Sequence, residues 1–117
     1  MRQVLGLTLV LLLLAGGARA RPMQVLQTTP AENAIIDSLN IEFVVRFDGN
    51  VDHQASRLYV THGGKVVEEL HPLLSAAPEV LFASSPRLPA GSYELHWDGR
   101  FLPDGDITSG SLPFRVK

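Results

Sequence analysis

A strict two-residue alternation between residues 41 and 47 constrains the fold more than any other feature of this sequence. The stretch reads I-E-F-V-V-R-F, with an apolar residue at every odd position. Side chains of a β-strand point alternately to the two faces of its sheet, so this period predicts a strand with one buried face. Asp48-Gly49-Asn50 follows with residues that favour a turn.

Six further segments have strand character and are separated by turn residues. They are Met23–Thr28, Arg57–His62, Lys65–Leu70, Glu79–Ala83, Tyr93–Trp97 and Leu112–Val116. Gly63-Gly64 joins two of them as a hairpin turn, because glycine tolerates the positive φ angles that such turns need. No window after residue 20 shows the 3.6-residue apolar period of a helix. These patterns predict an all-β fold, an immunoglobulin-like antiparallel β-sandwich with Greek-key connections and about seven strands.

The aromatic residues of these segments are expected to form the core rather than a surface for stacking a ligand. Each is placed on the inward side of its predicted strand, and large aromatic side chains contribute most of the apolar area that a core buries. They are Phe43, Phe47, Phe82, Tyr93, Trp97 and Phe114.

Residues 1–20 have the composition of a signal peptide. Arg2 is followed by an apolar run of about twelve residues, and Ala18-x-Ala20 fits cleavage before Arg21. The alternative is an uncleaved membrane anchor, but the run is shorter than the roughly 20 residues that a spanning helix needs. We expect an exported protein whose single domain spans residues 21–117. The chain has no cysteine, so neither a lipoprotein anchor nor a disulfide is available.

The predicted domain is acidic, which argues against a nucleic-acid ligand. All twelve Asp and Glu residues lie after residue 20, together with eight of the ten Lys and Arg residues. No basic stripe is therefore available to neutralise phosphates. Enzyme signatures are also missing, since the sequence has no G-x-S-x-G, no zinc-protease histidine motif and no phosphate-binding glycine loop.

The stretch Leu88–Lys117 resembles the C-terminal half of the CopC family of periplasmic copper-binding proteins. The family pattern is roughly L-x-x-G-x-Y-x-V-x-W, followed by S-x-D-x-H-x-x-x-G-x-x-x-F-x-V. The corresponding segments of this chain read L-P-A-G-S-Y-E-L-H-W and D-G-D-I-T-S-G-S-L-P-F-R-V. Thr29-Pro30-Ala31 matches the proline-containing segment that follows the first strand in the family. The resemblance implies a non-enzymatic, exported, periplasmic protein that carries or buffers copper for an inner-membrane partner of the CopD type.

The resemblance also implies a Cu(II) site, which suits the nitrogen donors and tetragonal geometry of that ion. Carried over by position, the N-terminal amine would belong to Arg21 and the loop aspartate would be Asp104. Asp106 stands where the family has its loop histidine, and the additional carboxylate would be Asp48. The family's leading histidine is absent as well. With both imidazoles replaced, we expect weak copper binding.

Two alternatives to this copper site follow from the residues themselves. Asp104-Gly105-Asp106 could be a polar turn and nothing more. The chain would then be a metal-free interaction module that keeps the sandwich and has lost the site.

The four histidines of the chain do not form a motif. His62 and His71 should lie about 20 Å apart along a hairpin, if residues whose numbers sum to 127 face each other across Gly63-Gly64. His71 would then oppose Ser56, and His53 could approach it. His96 alternates out of the predicted core and is expected on the surface.

Overall fold

A computed structural model describes residues 23–117, which form eight β-strands and contain no helix that could cross a membrane. The strands are β1 (Val25–Thr29), β2 (Ala34–Ile36), β3 (Ile41–Phe47), β4 (Arg57–His62), β5 (Lys65–Leu70), β6 (Val80–Ser85), β7 (Gly91–Arg100) and β8 (Ile107–Val116). The predicted signal peptide and Arg21 lie outside the described residues, so the boundary at residue 20 stays a prediction.

The strands pack as two sheets face to face. One sheet has the order β1-β3-β6 and the other the order β2-β8-β7-β4-β5. Every pairing is antiparallel except that of the short β2 with β8, which is parallel. The chain changes sheets at five connections, β1–β2, β2–β3, β3–β4, β5–β6 and β6–β7, and crossings of this kind are typical of Greek-key sandwiches. The predicted fold class is confirmed.

The core lies between the inner faces of the two sheets. β3 shows the alternation that the sequence predicts, since Ile41, Phe43, Val45 and Phe47 are all buried. The Phe43 and Phe114 rings meet edge to face with centroids 5.5 Å apart, which joins the two sheets.

Tyr93 closes one edge of this core. Its hydroxyl donates a hydrogen bond to the carbonyl oxygen of Pro89 at 2.6 Å, four residues upstream in the chain. This is the tyrosine corner found where the chain crosses between sheets in immunoglobulin-like sandwiches. The ring itself is 7% exposed, so the residue fixes the chain crossing and fills the core at once.

The structure corrects four expectations about the strands. The described residues contain eight strands rather than about seven. The additional strand is β2, which has three residues, and three residues are too few to show an alternating pattern. β7 and β8 are longer than predicted, so Ser109-Gly110-Ser111 belongs to β8 and the intervening loop is reduced to residues 101–106.

The other two corrections concern the placement of one side chain and the register of one strand pair. Phe82 is only half-buried and lies opposite Val44 on the outer face of β6, because the neighbouring Leu81 and Ala83 point inward. A β-bulge between β4 and β5 shifts their register, so that Leu58 pairs with Leu70 rather than with residue 69.

Candidate functional site

Three loops meet at one end of the sandwich, and all the predicted site residues within the described part of the chain lie there. The loops span residues 48–56, 71–79 and 101–106 and are called the loop end below. The Leu102 amide donates to the Asn50 carbonyl oxygen at 2.9 Å, which ties the first loop to the third. The first and third loops are some fifty residues apart in the sequence, and the fold brings them together.

The third loop holds Asp104 and Asp106 in a closed turn. The Phe101 amide donates to the Asp106 carbonyl oxygen at 2.6 Å, and the Gly105 amide returns a bond to the Phe101 carbonyl oxygen at 2.7 Å. Arg100 adds a bond from its guanidinium to the Gly105 carbonyl oxygen at 2.8 Å. Gly105 has a φ of 82°, which few residues other than glycine adopt. None of these hydrogen bonds of the turn uses either carboxylate.

The two carboxylates of this turn are exposed. Within residues 23–117, neither the Asp104 nor the Asp106 side chain forms a hydrogen bond or an ion pair. Both are thus available to a cation from solvent. A pair of solvated carboxylates is also what an ordinary surface turn presents, so their exposure favours neither interpretation.

Asp48 connects the start of the described chain to the loop end. Its side chain accepts a hydrogen bond from the Gln24 amide at 2.9 Å, and its own amide donates to the Gln24 carbonyl oxygen at 2.9 Å. On the other side, the Thr108 hydroxyl donates to the Met23 carbonyl oxygen at 3.3 Å. Met23 therefore lies between the end of β3 and the start of β8. Arg21, two residues earlier, is outside the described residues.

The described donors do not by themselves make a metal centre. No three His, Asp or Glu side chains among residues 23–117 are grouped so that they could hold one ion together. Asp48 is moreover engaged by the Gln24 amide, which competes for its lone pairs. A copper ion at this place would need the N-terminal amine and water beside the carboxylates of Asp104 and Asp106.

The loop end also contains two of the four histidines. His53 and His71 line one surface cleft with a volume of about 360 Å³. His53 Nε2 lies 2.8 Å from the Val80 carbonyl oxygen and 3.1 Å from that of Ala77. Because both partners are acceptors, the Nε2 atom must carry the proton. The remaining lining residues are Gln54, Ser56, Arg57, Glu69, Leu70, Pro72 and Leu74.

The β-bulge explains how the two histidines come to share this cleft. The shifted register of β4 and β5 places Leu58 opposite Leu70, one position beyond the simple hairpin count. His71 still reaches the same cleft as Ser56, as the count suggested, and His53 joins it from the neighbouring loop.

The other two histidines lie elsewhere. At the opposite end of the sandwich, His62 Nδ1 donates to the Ser92 carbonyl oxygen at 2.7 Å. On the outer face of the larger sheet, His96 stacks on Tyr59 with ring centroids 4.9 Å apart and hydrogen-bonds Thr61 Oγ1 at 3.0 Å. His62 and His71 are thus too far apart to share a metal, as predicted.

Arg57 sets the electrostatics of the cleft. Its guanidinium lies 3.1 Å from the Glu69 carboxylate and 3.6 Å from that of Asp98, and it rests on the ring of Tyr59. The hydrogen bond and then the charge of Glu69 raise the pKa of Arg57 above its ordinary value. The arginine charge is thus compensated by two carboxylates, and Glu69 is already occupied by it.

The family model described as CopC domain matches residues 25–117, nearly the whole of the described part. No curated protein matches the chain.

Solved structures show the same fold. CopC from Methylosinus trichosporium OB3b is similar with a TM-score of 0.71 and 23% identity, over 82% of this chain and 94% of that one. An endo-beta-1,4-mannanase from Thermotoga petrophila matches with a TM-score of 0.56 and 18% identity, over 86% of this chain but 21% of the enzyme. Clostridium thermocellum CbhA fibronectin(III)-like modules match with a TM-score of 0.50 and 13% identity, over 82% of this chain and 46% of the other. At these identities the likeness concerns the fold.

Proposed function

Because the chain belongs to the CopC family, we propose that it is an exported copper-homeostasis protein that binds Cu(II) weakly at the loop end and passes it to a membrane partner of the CopD type. The observation that carries the proposal is the meeting of the β3–β4 loop, the β7–β8 loop and the start of the described chain at one end of the sandwich. The ligands are the Arg21 amine, Asp104 and Asp106, with Asp48 beside them.

The short chain length between Arg21 and Gln24 supports counting the Arg21 amine among the copper ligands. Gln24 is held against Asp48, and three residues span at most about 10 Å when extended. An amine on Arg21 therefore stays within about that distance of Gln24 if the signal peptide is removed before it. The proposed cleavage thus creates a donor at the same end of the sandwich as the carboxylates.

The binding is weak for a chemical reason. Carboxylates are poorer donors for Cu(II) than imidazoles, and Asp106 stands where the family has a histidine. The amine must also lose a proton before it can coordinate, so protons compete with the metal. A carrier of this kind would buffer copper that is abundant outside the cytoplasm rather than scavenge trace copper.

The rival function is a metal-free interaction module. It is favoured by the absence of any three potential ligands grouped together in the described residues. Cu(II) binding that depends on Asp104 and Asp106 discriminates the two, because an interaction module has no reason to hold the ion at these carboxylates.

The test is a Cu(II) titration of the purified protein against a competing chelator, after its N-terminus has been determined by mass spectrometry. Asp104→Ala and Asp106→Ala should each weaken binding, whereas Asp106→His should strengthen it because an imidazole replaces a carboxylate. Acetylation of the amine should weaken it. Alanine variants that bind like the unmodified protein would show that the loop is only a turn. If, in addition, Asp106→His binds Cu(II) no more tightly than the unmodified protein, the interaction module is favoured.

A further inference from the structure

We propose that His53 and His71 form a second metal site, separate from the carboxylate loop, that takes a first-row transition-metal ion through two imidazoles and water. Divalent copper should bind most tightly, by the general order of affinities of nitrogen sites for these ions. The proposal does not depend on the copper site at the β7–β8 loop.

The first argument is the fixed tautomer of His53. Its Nε2–H is held by the carbonyl oxygens of Val80 and Ala77, so neutral His53 keeps an unprotonated Nδ1. Histidines that bind metals commonly donate their second ring N–H to a backbone carbonyl or a carboxylate, which orients the ring and raises its basicity. The His53 ring is therefore preorganised to coordinate an ion through Nδ1.

The second argument is the availability of His71. Within the described residues its side chain is exposed and forms no hydrogen bond or ion pair, so both of its ring nitrogens are unengaged. Its position is nevertheless restricted, because it directly follows β5, and two residues later the Leu73 amide donates to the Phe82 carbonyl oxygen at 2.8 Å. This backbone is anchored on both sides of the histidine.

The third argument is the composition of the cleft that the two rings share. Its volume of about 360 Å³ accommodates an ion with its waters. Arg57 does not repel a cation there, because Glu69 and Asp98 compensate its charge. Since Glu69 is bound to Arg57, the protein offers two imidazoles and leaves the remaining coordination positions to water.

The test uses the purified protein and Cu(II) or Zn(II) alone as the added ion. His71→Ala removes an exposed side chain and should leave the fold intact, and His53→Gln keeps a donor for the two carbonyl oxygens. Each should lower the affinity of this site by about 10-fold or more, as the loss of a supporting group already does at metal sites. In ¹H–¹⁵N spectra of the unmodified protein, Zn(II) should shift the ring signals of both His53 and His71.

His62→Ala is the matched control, because it removes an imidazole at the opposite end of the sandwich and should leave the affinity unchanged. The double variant Asp104→Ala/Asp106→Ala should retain this site, so failure of the carboxylate site is seen separately. The proposal is wrong if His71→Ala and His53→Gln bind like the unmodified protein, or if only one of them loses affinity. The absence of any metal-dependent ring shift would also overturn it.

Discussion

Replacement of Gly110 by alanine tests whether the close approach of β8 to Trp97 decides the packing of the core. Gly110 pairs with Trp97 across the β7–β8 ladder, and a methyl group built on it would lie 2.5 Å from Cζ2 of the indole. The indole is 7% exposed and rigid, so it cannot move aside without disturbing its neighbours.

Two effects of opposite sign decide the outcome. Where the backbone suits alanine, exchanging glycine for it stabilises a protein by about 0.4–1 kcal/mol through the unfolded state. Inserting a methyl group into a filled core costs about 1–3 kcal/mol. Overpacking should win, and we expect Gly110→Ala to lower the free energy of unfolding by about 1–2 kcal/mol. For a domain of this size that is a fall in Tm of roughly 5–15 °C.

Urea denaturation followed by far-UV circular dichroism measures this change, also in variants that lack the single tryptophan. Ser111→Ala is the control, because it alters the next residue of β8 on the exposed face and should be nearly neutral. Trp97→Phe combined with Gly110→Ala should cost less than the two single changes together, since the smaller ring makes room. An unfolding free energy for Gly110→Ala equal to or above that of the unmodified protein would refute the reasoning.

Three further outcomes are expected. Tyr93→Phe should lower the free energy of unfolding by about 0.5–1.5 kcal/mol in urea, because the bond to the Pro89 carbonyl oxygen is lost; an unchanged midpoint would contradict it. Arg57→Ala should leave Tm unchanged in a thermal melt, because the side chains of its pair with Glu69 are 52% and 46% exposed; a clear fall would show that the pair matters more than its exposure suggests. Copper affinity should fall as pH is lowered in the chelator titration, because protons compete with the ion for the amine; pH-independent binding would exclude the amine as a ligand.

The fold could be predicted from the sequence because its strands are short, alternating and separated by glycine and proline. The β3 alternation and the Gly63-Gly64 turn define one strand and one hairpin from local residues alone. β2 could not be found in this way, because a three-residue strand held by parallel pairing has no period to detect. Phe82 was misplaced for a related reason, since β6 buries two successive residues at its start.

The candidate site was predictable only in part, since its parts come from distant loops. The aspartates of the β7–β8 loop could be selected by resemblance, whereas the tie between Asp48 and Gln24 is a tertiary contact that no local pattern encodes. The shared cleft of His53 and His71 was suggested by the hairpin count. The tether of His53 to the Val80 carbonyl oxygen required the structure, because a backbone acceptor carries no sequence signal.

The two proposed sites lie at the same end of the sandwich, and this placement has a physical reason. At the other end the Gly63-Gly64 turn is short and Tyr93 is bonded to the Pro89 carbonyl oxygen, and the cleft of about 340 Å³ beside them has no histidine among its lining residues. At the loop end, three longer connections converge and their backbone groups satisfy one another, as the Leu102–Asn50 bond shows. Within residues 23–117, the side chains of Asp104, Asp106 and His71 at this end form no hydrogen bond or ion pair, so they can bind an ion without a cost to the fold. A change of residue in one loop, such as the aspartate at 106 where the CopC pattern has a histidine, should therefore leave the sandwich intact, and the proposed imidazole pair lies on the other two loops of the same end.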